Sequence, residues 1–189
     1  MVPVEMQMFA CFFKPSVSIA SPISQQYPGY VAAGCLFVEG SVALAGVQKQ
    51  FLVVTGKRPP VLSGLGGHRE DSDIDWIHTA LRETVEELFD IKDVPLSLVN
   101  RLRHSLPVRH VVETNGYVLV QYSFEDLAIL LTCCASLVSP LYKVQPRSVQ
   151  DLIIKRCICA SEIGSLALVP RLQGITIDSH FEADLIEKN

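Results

Sequence analysis

The chain has no apolar run long enough to cross a bilayer. Its greasiest stretch, Leu127 to Val138, spans twelve residues, includes Thr132 and Ser136 and is closed by Pro140; a spanning helix needs about 20. The first 28 residues lack the basic start and small-residue cleavage site of a secretory leader, and Glu5 interrupts them. No CxxC spacing occurs among the six cysteines, so neither a zinc ribbon nor a disulfide scaffold is expected. They are read as reduced and mostly buried, in a cytoplasmic or similarly reducing compartment. Basic residues are outnumbered, 16 to 20, for a net charge of −4. That argues against an extended phosphate-tracking surface for nucleic acid and leaves room for a local basic pocket. No internal repeat is present. Lysine is wholly missing from residues 70–90, an acidic stretch in which only Arg82 is a fixed cation.

What is there is a chain of 189 residues, 49% hydrophobic, enough for one domain with a substantial core. Residues 1–28, broken by Pro15, Pro22 and Pro28, are expected to form a peripheral extension, and 29–189 the domain. YVAAGCLFV predicts a buried strand ended by Gly40, and QFLVVTGKR a second one, with SVALAG a short connecting piece. Residues 94–106 and 110–124 read as strands or a long hairpin, with Asn115-Gly116 a turn or a bulge. The stretch 126–139 is expected to be buried in the domain or in a subunit contact, which leaves a homodimer open. A helix or strand then leads to a last strand, LALV, followed by a short terminal helix.

The lysine-free stretch carries the chemistry. At 100° per residue Ile74, Ile77, Leu81, Val85 and Leu88 fall within one arc of a helix. Glu83, Glu86, Glu87 and Asp90 fall on the opposite side, with Arg82 on their flank. Glu83 neighbours both Glu86 and Glu87, and like charges at that spacing destabilise a helix. Such carboxylates suit a hard divalent cation, which takes oxygen ligands and cancels the repulsion. Ser72 or Asp73 is expected to cap the helix, with Asp75 in its first turn; outer metal ligation by the two aspartates is the alternative.

Arg82-Glu83-Thr84-Val85-Glu86-Glu87, with Gly66-Gly67 upstream, resembles the REUxEE core of the Nudix hydrolases. Asp73 stands at the sixth residue after Gly67, and Arg82 follows nine residues later, one more than the usual box allows. That longer spacing and the wording D-x-D…TALRE resemble the coenzyme-A-type branch. Leu65 replaces a proline before the glycines, and Phe89 the glycine that normally ends the helix. The resemblance implies an α/β class fold, a Nudix-type α/β/α sandwich with a mixed sheet. It also implies hydrolysis of a phosphoanhydride in a nucleoside diphosphate linked to another moiety, with Mg²⁺ or Mn²⁺ as cofactor.

On that reading Glu83, Glu86 and Glu87 hold the metal, and Arg82, Glu83 and Glu87 are catalytic, Arg82 orienting the glutamates by ion pairing. Gly66 and Gly67 form a substrate-binding loop, joined by Arg58 as a phosphate contact. The base is Glu83, with Glu162 or Glu113 as alternatives outside the box. Coenzyme A derivatives, dinucleoside polyphosphates, nucleotide sugars and mRNA caps all remain open as substrates. The alternative function is a non-catalytic Nudix-fold module that senses a nucleotide or binds a protein. The cluster Arg101, Arg103, His104, Arg109 and His110 reads either as a site for an acidic substrate or as ordinary cations on an exposed strand face, the latter being favoured.

Overall fold

In the computed structural model, which describes residues 27–48, 62–157 and 163–170, strand β1 (Ala32–Glu39) is the element on which the sheet is built. Its apolar run leaves Ala33, Cys35, Leu36 and Phe37 buried, so both of its faces are covered, as its composition predicts. Gly40 turns the chain in the left-handed region (φ 56°) into β2 (Val42–Gln48). β2 leaves β1 after two paired positions, Val38 with Ala43 and Glu39 with Val42. The next chain segment fills the gap. β3 (Leu62–Ser63) pairs with β2, and β4 (Leu65–His68) pairs antiparallel with the first half of β1. On its other edge β1 runs parallel to β6 (Tyr117–Ser123), which forms a hairpin with β5 (His110–Thr114). β7 (Ile163–Pro170) closes against the far side of β2. The result is a seven-stranded mixed sheet in an α/β fold.

Four helices are described: α1 (Trp76–Phe89), α2 (Leu96–Ser105), α3 (Phe124–Cys133) and α4 (Val149–Ile154). α1 packs on β1 and β4, and one apolar cluster gathers its Ile77, Leu81, Val85 and Leu88 with Ala33, Cys35 and Phe37 of β1 and Val118, Val120 and Tyr122 of β6. The alternate residues of the strands, Leu36, Ala43, Ala45, Leu119 and Val169, form a second buried cluster on the opposite face. Eleven of the fourteen residues of α1 are buried; Glu83, Glu86 and Glu87 are the ones that are not. The helix is therefore enclosed around most of its girth, and its acids line the seam it makes with the sheet.

Several expectations change. The helix begins two residues later than the apolar arc implies, at Trp76. Asp75 is its N-cap, accepting the His78 amide at 3.0 Å, so neither Ser72 nor Asp73 caps it, and Ile74 lies outside it at 64% exposure. SVALAG is no connector but most of β2. Small residues fit there because a Cβ on Gly46 would collide with Ile163 of β7. Residues 96–105 form α2 instead of a strand, burying Leu98, Val99 and Leu102 at helical spacing. Asn115-Gly116 is a turn, both residues at positive φ (53° and 83°), the geometry of a two-residue hairpin.

The segment 126–139 is only half-buried: α3 ends at Cys133, Leu127, Leu130 and Leu131 face the core, and Val138 is 91% exposed. No helix among the described residues is long and apolar enough to cross a membrane. Cys35 and Cys134 are buried, Cys133 and Cys157 partly so, and all four are free thiols. The expected strand 50–58, residues 1–26 and the terminal helix lie outside the described residues.

Candidate functional site

The site is assembled at the seam between β4 and α1. Gly66 and Gly67 are expected in a loop, but they lie in β4, opposite Gly34 and Ala33 of β1. Their small size serves close approach within the sheet. A Cβ on Gly66 would strike the Gly34 Cα, the Ala33 carbonyl oxygen and the Tyr117 hydroxyl. A Cβ on Gly67 would overlap the carboxylate of Glu83, which packs directly on the bare backbone there. The Gly66 amide donates to Glu87 Oε2 at 2.7 Å. Two of the three glutamates are thus registered on two consecutive glycines.

Behind them sits a buried ion pair. Asp73, whose side chain is sealed from solvent, accepts Arg82 Nε at 3.0 Å and Arg82 Nη2 at 2.9 Å, a two-pronged bridge. It also accepts the Glu70 amide (2.9 Å) and the Thr79 hydroxyl (2.8 Å), and meets His78 Nδ1 at 2.8 Å. Burial would raise this carboxyl, but the donors, Arg82 foremost, outweigh it and hold Asp73 well below the usual carboxylate range. Asp73 is therefore the anchor of Arg82, neither a helix cap nor an outward-facing ligand. Asp75 is likewise committed, to the His78 amide and to Arg103 of α2.

The other edge of Arg82 faces the acids. Nη1 lies 2.9 Å from Glu83 and 3.0 Å from Glu86, while Nη2 also donates to the His68 carbonyl at 2.9 Å. Burial would lower the guanidinium's proton affinity, but its bonds to Asp73 and Glu86 and the charge of Glu83 raise it. Burial raises Glu83 to about 7, with Arg82 opposing and Glu86 adding to the rise. Glu86 is raised by burial too, against the opposing pull of Arg82. The sequence reading treats Glu83, Glu86 and Glu87 as one ligand trio with Arg82 pairing to them. Instead the trio is divided, with Glu83 and Glu86 meeting at Arg82 and Glu87 bonded to the backbone of β4. Among the described residues no group of three or more His, Cys, Asp or Glu side chains is arranged to enclose a metal ion.

Glu83 and Glu86 still fit a hard cation of the Mg²⁺ kind, which commonly takes only one or two protein carboxylates and completes its shell with water and substrate phosphates. Burial, only partly offset by Arg82, is what elevates Glu83, and added positive charge would favour its ionised form.

The remaining candidates lie elsewhere. Glu113 is on the sheet-edge strand β5, exposed, accepting the Gly116 amide at 2.7 Å across its own hairpin. Arg58 and Glu162 fall outside the described residues. Of the basic cluster, Arg101, Arg103 and His104 lie on α2 instead of a strand and His110 opens β5, and four of the five have structural partners. Arg101 donates to the Cys133 carbonyl at the end of α3, Arg103 pairs with Asp75, Arg109 is 3.5 Å from Asp126, and His104 meets the Asn100 carbonyl. Sequence reasoning misses Thr79, which links Asp73 to the Tyr30 hydroxyl at 3.0 Å, and Gly34 with Tyr117, which complete the close contact at Gly66. Gly34 and Tyr117 act through strand pairing, and Thr79 through the packing of α1 against Tyr30 and the Asp73 loop, which no motif in the sequence marks.

No protein-family model and no curated protein matches the chain. Solved structures that it resembles include a bifunctional NMN adenylyltransferase/ADP ribose pyrophosphatase from Francisella tularensis, complexed with AMP and a manganese ion, at 17% identity and a TM-score of 0.32. That similarity covers 52% of this chain and 28% of the other. A NUDIX hydrolase from Nitrosomonas europaea has 16% identity and a TM-score of 0.26, over 50% of this chain and 56% of the other. The chain thus spans between about a quarter and just over half of the length of these proteins.

Proposed function

We propose that this chain is a Nudix-type hydrolase that cleaves a phosphoanhydride bond in a nucleoside diphosphate derivative with the help of a divalent cation. One observation carries the reading: residues scattered from 66 to 87 meet at one seam, with Glu83 on Gly67, Glu87 on the Gly66 amide, and Arg82 fixed by Asp73 between Glu83 and Glu86. A merely solvated acidic helix would have no use for that construction. Glu83 and Glu86, with Glu87 beside them, would hold Mg²⁺ or Mn²⁺. When bound, the ion would neutralise phosphate oxygens and make water easier to deprotonate.

The chain's own residues supply the rest. Glu83 is the proposed general base, a half-buried carboxylate that would take a proton from the attacking water. Arg82 cannot swing away, because Asp73 holds its Nε edge, so its Nη1 keeps Glu83 and Glu86 at a fixed separation. The side-chain-free backbone at Gly66 and Gly67 leaves space for the carboxylates and for a substrate's diphosphate. Arg58 is proposed as a phosphate contact, and the physiological substrate as a small nucleotide diphosphate of one of the four classes named above.

The test is hydrolysis of those four classes with Mg²⁺ or Mn²⁺, run in isotopically labelled water. Label in a phosphate product, and loss of turnover with chelator, support the proposal. Full turnover in excess chelator, or label on a sugar carbon, overturns it. A second reading rests on the neutralisation of Glu83 and Glu86 by Arg82, which gives both acids a partner without any ion. Tight nucleotide binding with no turnover in either metal would select that reading, a nucleotide-sensing module.

A further inference from the structure

The C-terminal turn of α1, which carries Glu86 and Glu87, is closed by side chains from 50 to 69 residues away along with its own cap. A helix leaves its last four carbonyls without partners inside the helix, and here each finds one. The Asp90 amide, in a left-handed cap residue, takes Glu86 O at 2.7 Å. Arg156 Nη2 takes Glu87 O at 2.9 Å, Arg156 Nη1 takes Leu88 O at 2.8 Å, and Ser139 Oγ takes Phe89 O at 2.6 Å. The helix has no basic residue of its own in that turn, so the cation that complements the negative end of its dipole is Arg156.

Arg156 is buried, at 7% exposure, and reaches further. Nη2 also donates to Ile163 O, the first residue of β7, at 2.8 Å, and Nη1 to the Tyr142 hydroxyl at 3.2 Å. Tyr142 in turn donates to Leu152 O of α4 and packs edge-on against Phe89. One planar guanidinium therefore joins the end of α1 to β7 and α4. A lysine keeps the charge but not the fork, which alone spans three carbonyls.

We propose that Arg156 is a positioning residue for the carboxylates of α1, fixing the helix end so that Glu87 stays on the Gly66 amide and Glu86 on Arg82. The inference deepens the hydrolase reading above and rests on it for its kinetic consequence. Its structural part stands on the Gly66–Glu87 bond alone.

The experiment compares wild type with Arg156→Lys by two readouts, exchange of the Gly66 amide proton and the split between kcat and KM. The expected result is about tenfold faster Gly66 exchange at a temperature where both are folded. With it, kcat should fall about tenfold or more and KM change about threefold or less, since substrate contacts are untouched. A lower thermal midpoint with wild-type Gly66 exchange and wild-type kcat would reduce Arg156 to a stabilising residue and overturn the proposal. If wild type hydrolyses nothing, the hydrolase reading fails, and the exchange readout decides this one alone. If Arg156→Lys does not fold, Tyr142→Phe, which removes the hydroxyl that accepts from Arg156 Nη1 and donates to Leu152 O, decides it. Faster Gly66 exchange supports the proposal, and unchanged exchange overturns it.

Discussion

The carboxylate of Glu83 occupies the space that a side chain on Gly67 would need. The neighbouring glycine faces a different obstacle, the backbone of Gly34 and Ala33. The two positions should therefore respond differently to the same substitution. Gly67→Ala meets the far end of a flexible side chain, which moves aside at small cost, so stability should change by less than about 1 kcal/mol while turnover falls at least about tenfold. Gly66→Ala pushes on the Gly34 and Ala33 backbone as well as on the Tyr117 hydroxyl, and overpacking of that kind costs about 1–3 kcal/mol. Urea denaturation alongside turnover separates the two, and equal stability losses would contradict this account.

Arg82 and Asp73 form the pair whose loss should be felt most. Arg82→Met leaves a carboxylate with no solvent access facing no guanidinium. Breaking a buried pair from one side costs about 3–5 kcal/mol. Arg82→Lys should recover only part of this, since an ammonium cannot serve Asp73, Glu83, Glu86 and the His68 carbonyl together. The check is the urea midpoint at constant slope. A loss below about 1 kcal/mol in Arg82→Met would mean that Asp73 finds other donors.

Leu81 has no solvent-accessible surface, in the middle of the α1 face that packs on β1. Leu81→Ala should cost about 2–5 kcal/mol through lost burial and the cavity left behind. Thermal unfolding monitored by circular dichroism measures this, and a midpoint shift under about 2 °C would show that the face repacks.

That buried row was legible in the sequence because helical spacing repeats locally; Ile77, Leu81, Val85 and Leu88 all lie where the arc places them. Ile74 fits the arc equally well and is exposed, because the Asp75 cap starts the helix after it. The helical nature of α2 is masked because Leu96, Leu98 and Leu102 sit at even spacings that a strand also produces. β2 escaped because its Ala43, Ala45 and Gly46 lack the bulk that usually marks strands, and their burial comes from partners far along the chain. In the site, the acids and Arg82 were legible as a group. What they bind was not, since Asp73, Gly34 and Arg156 act through contacts set by sheet pairing and helix packing.

Proton linkage gives the last prediction, with opposite signs for two acids of the same seam. Asp73 is depressed in the folded state, so its stabilising contribution is complete above its unfolded value of 3.8 and is lost as pH falls below it. Glu83 is raised from 4.5 to about 7. Between those values the folded protein keeps a proton that the unfolded chain has released, so each step up in pH destabilises the fold, and the loss is complete above about 7. In chelator, the thermal midpoint of wild type should therefore fall, relative to Glu83→Gln, as pH rises through this window. A bound divalent cation favours the ionised carboxylate and should reverse the trend. Mg²⁺ or Mn²⁺ should raise the midpoint more at about pH 8 than at about pH 5, because at the lower pH protons compete for the same oxygens. Glu83→Gln should lose most of that metal-induced, pH-dependent shift while retaining its fold. If wild type and Glu83→Gln show the same pH slope in chelator, and metal leaves both slopes unchanged, Glu83 is neither the elevated acid nor an ion ligand, and the catalytic role assigned to it falls.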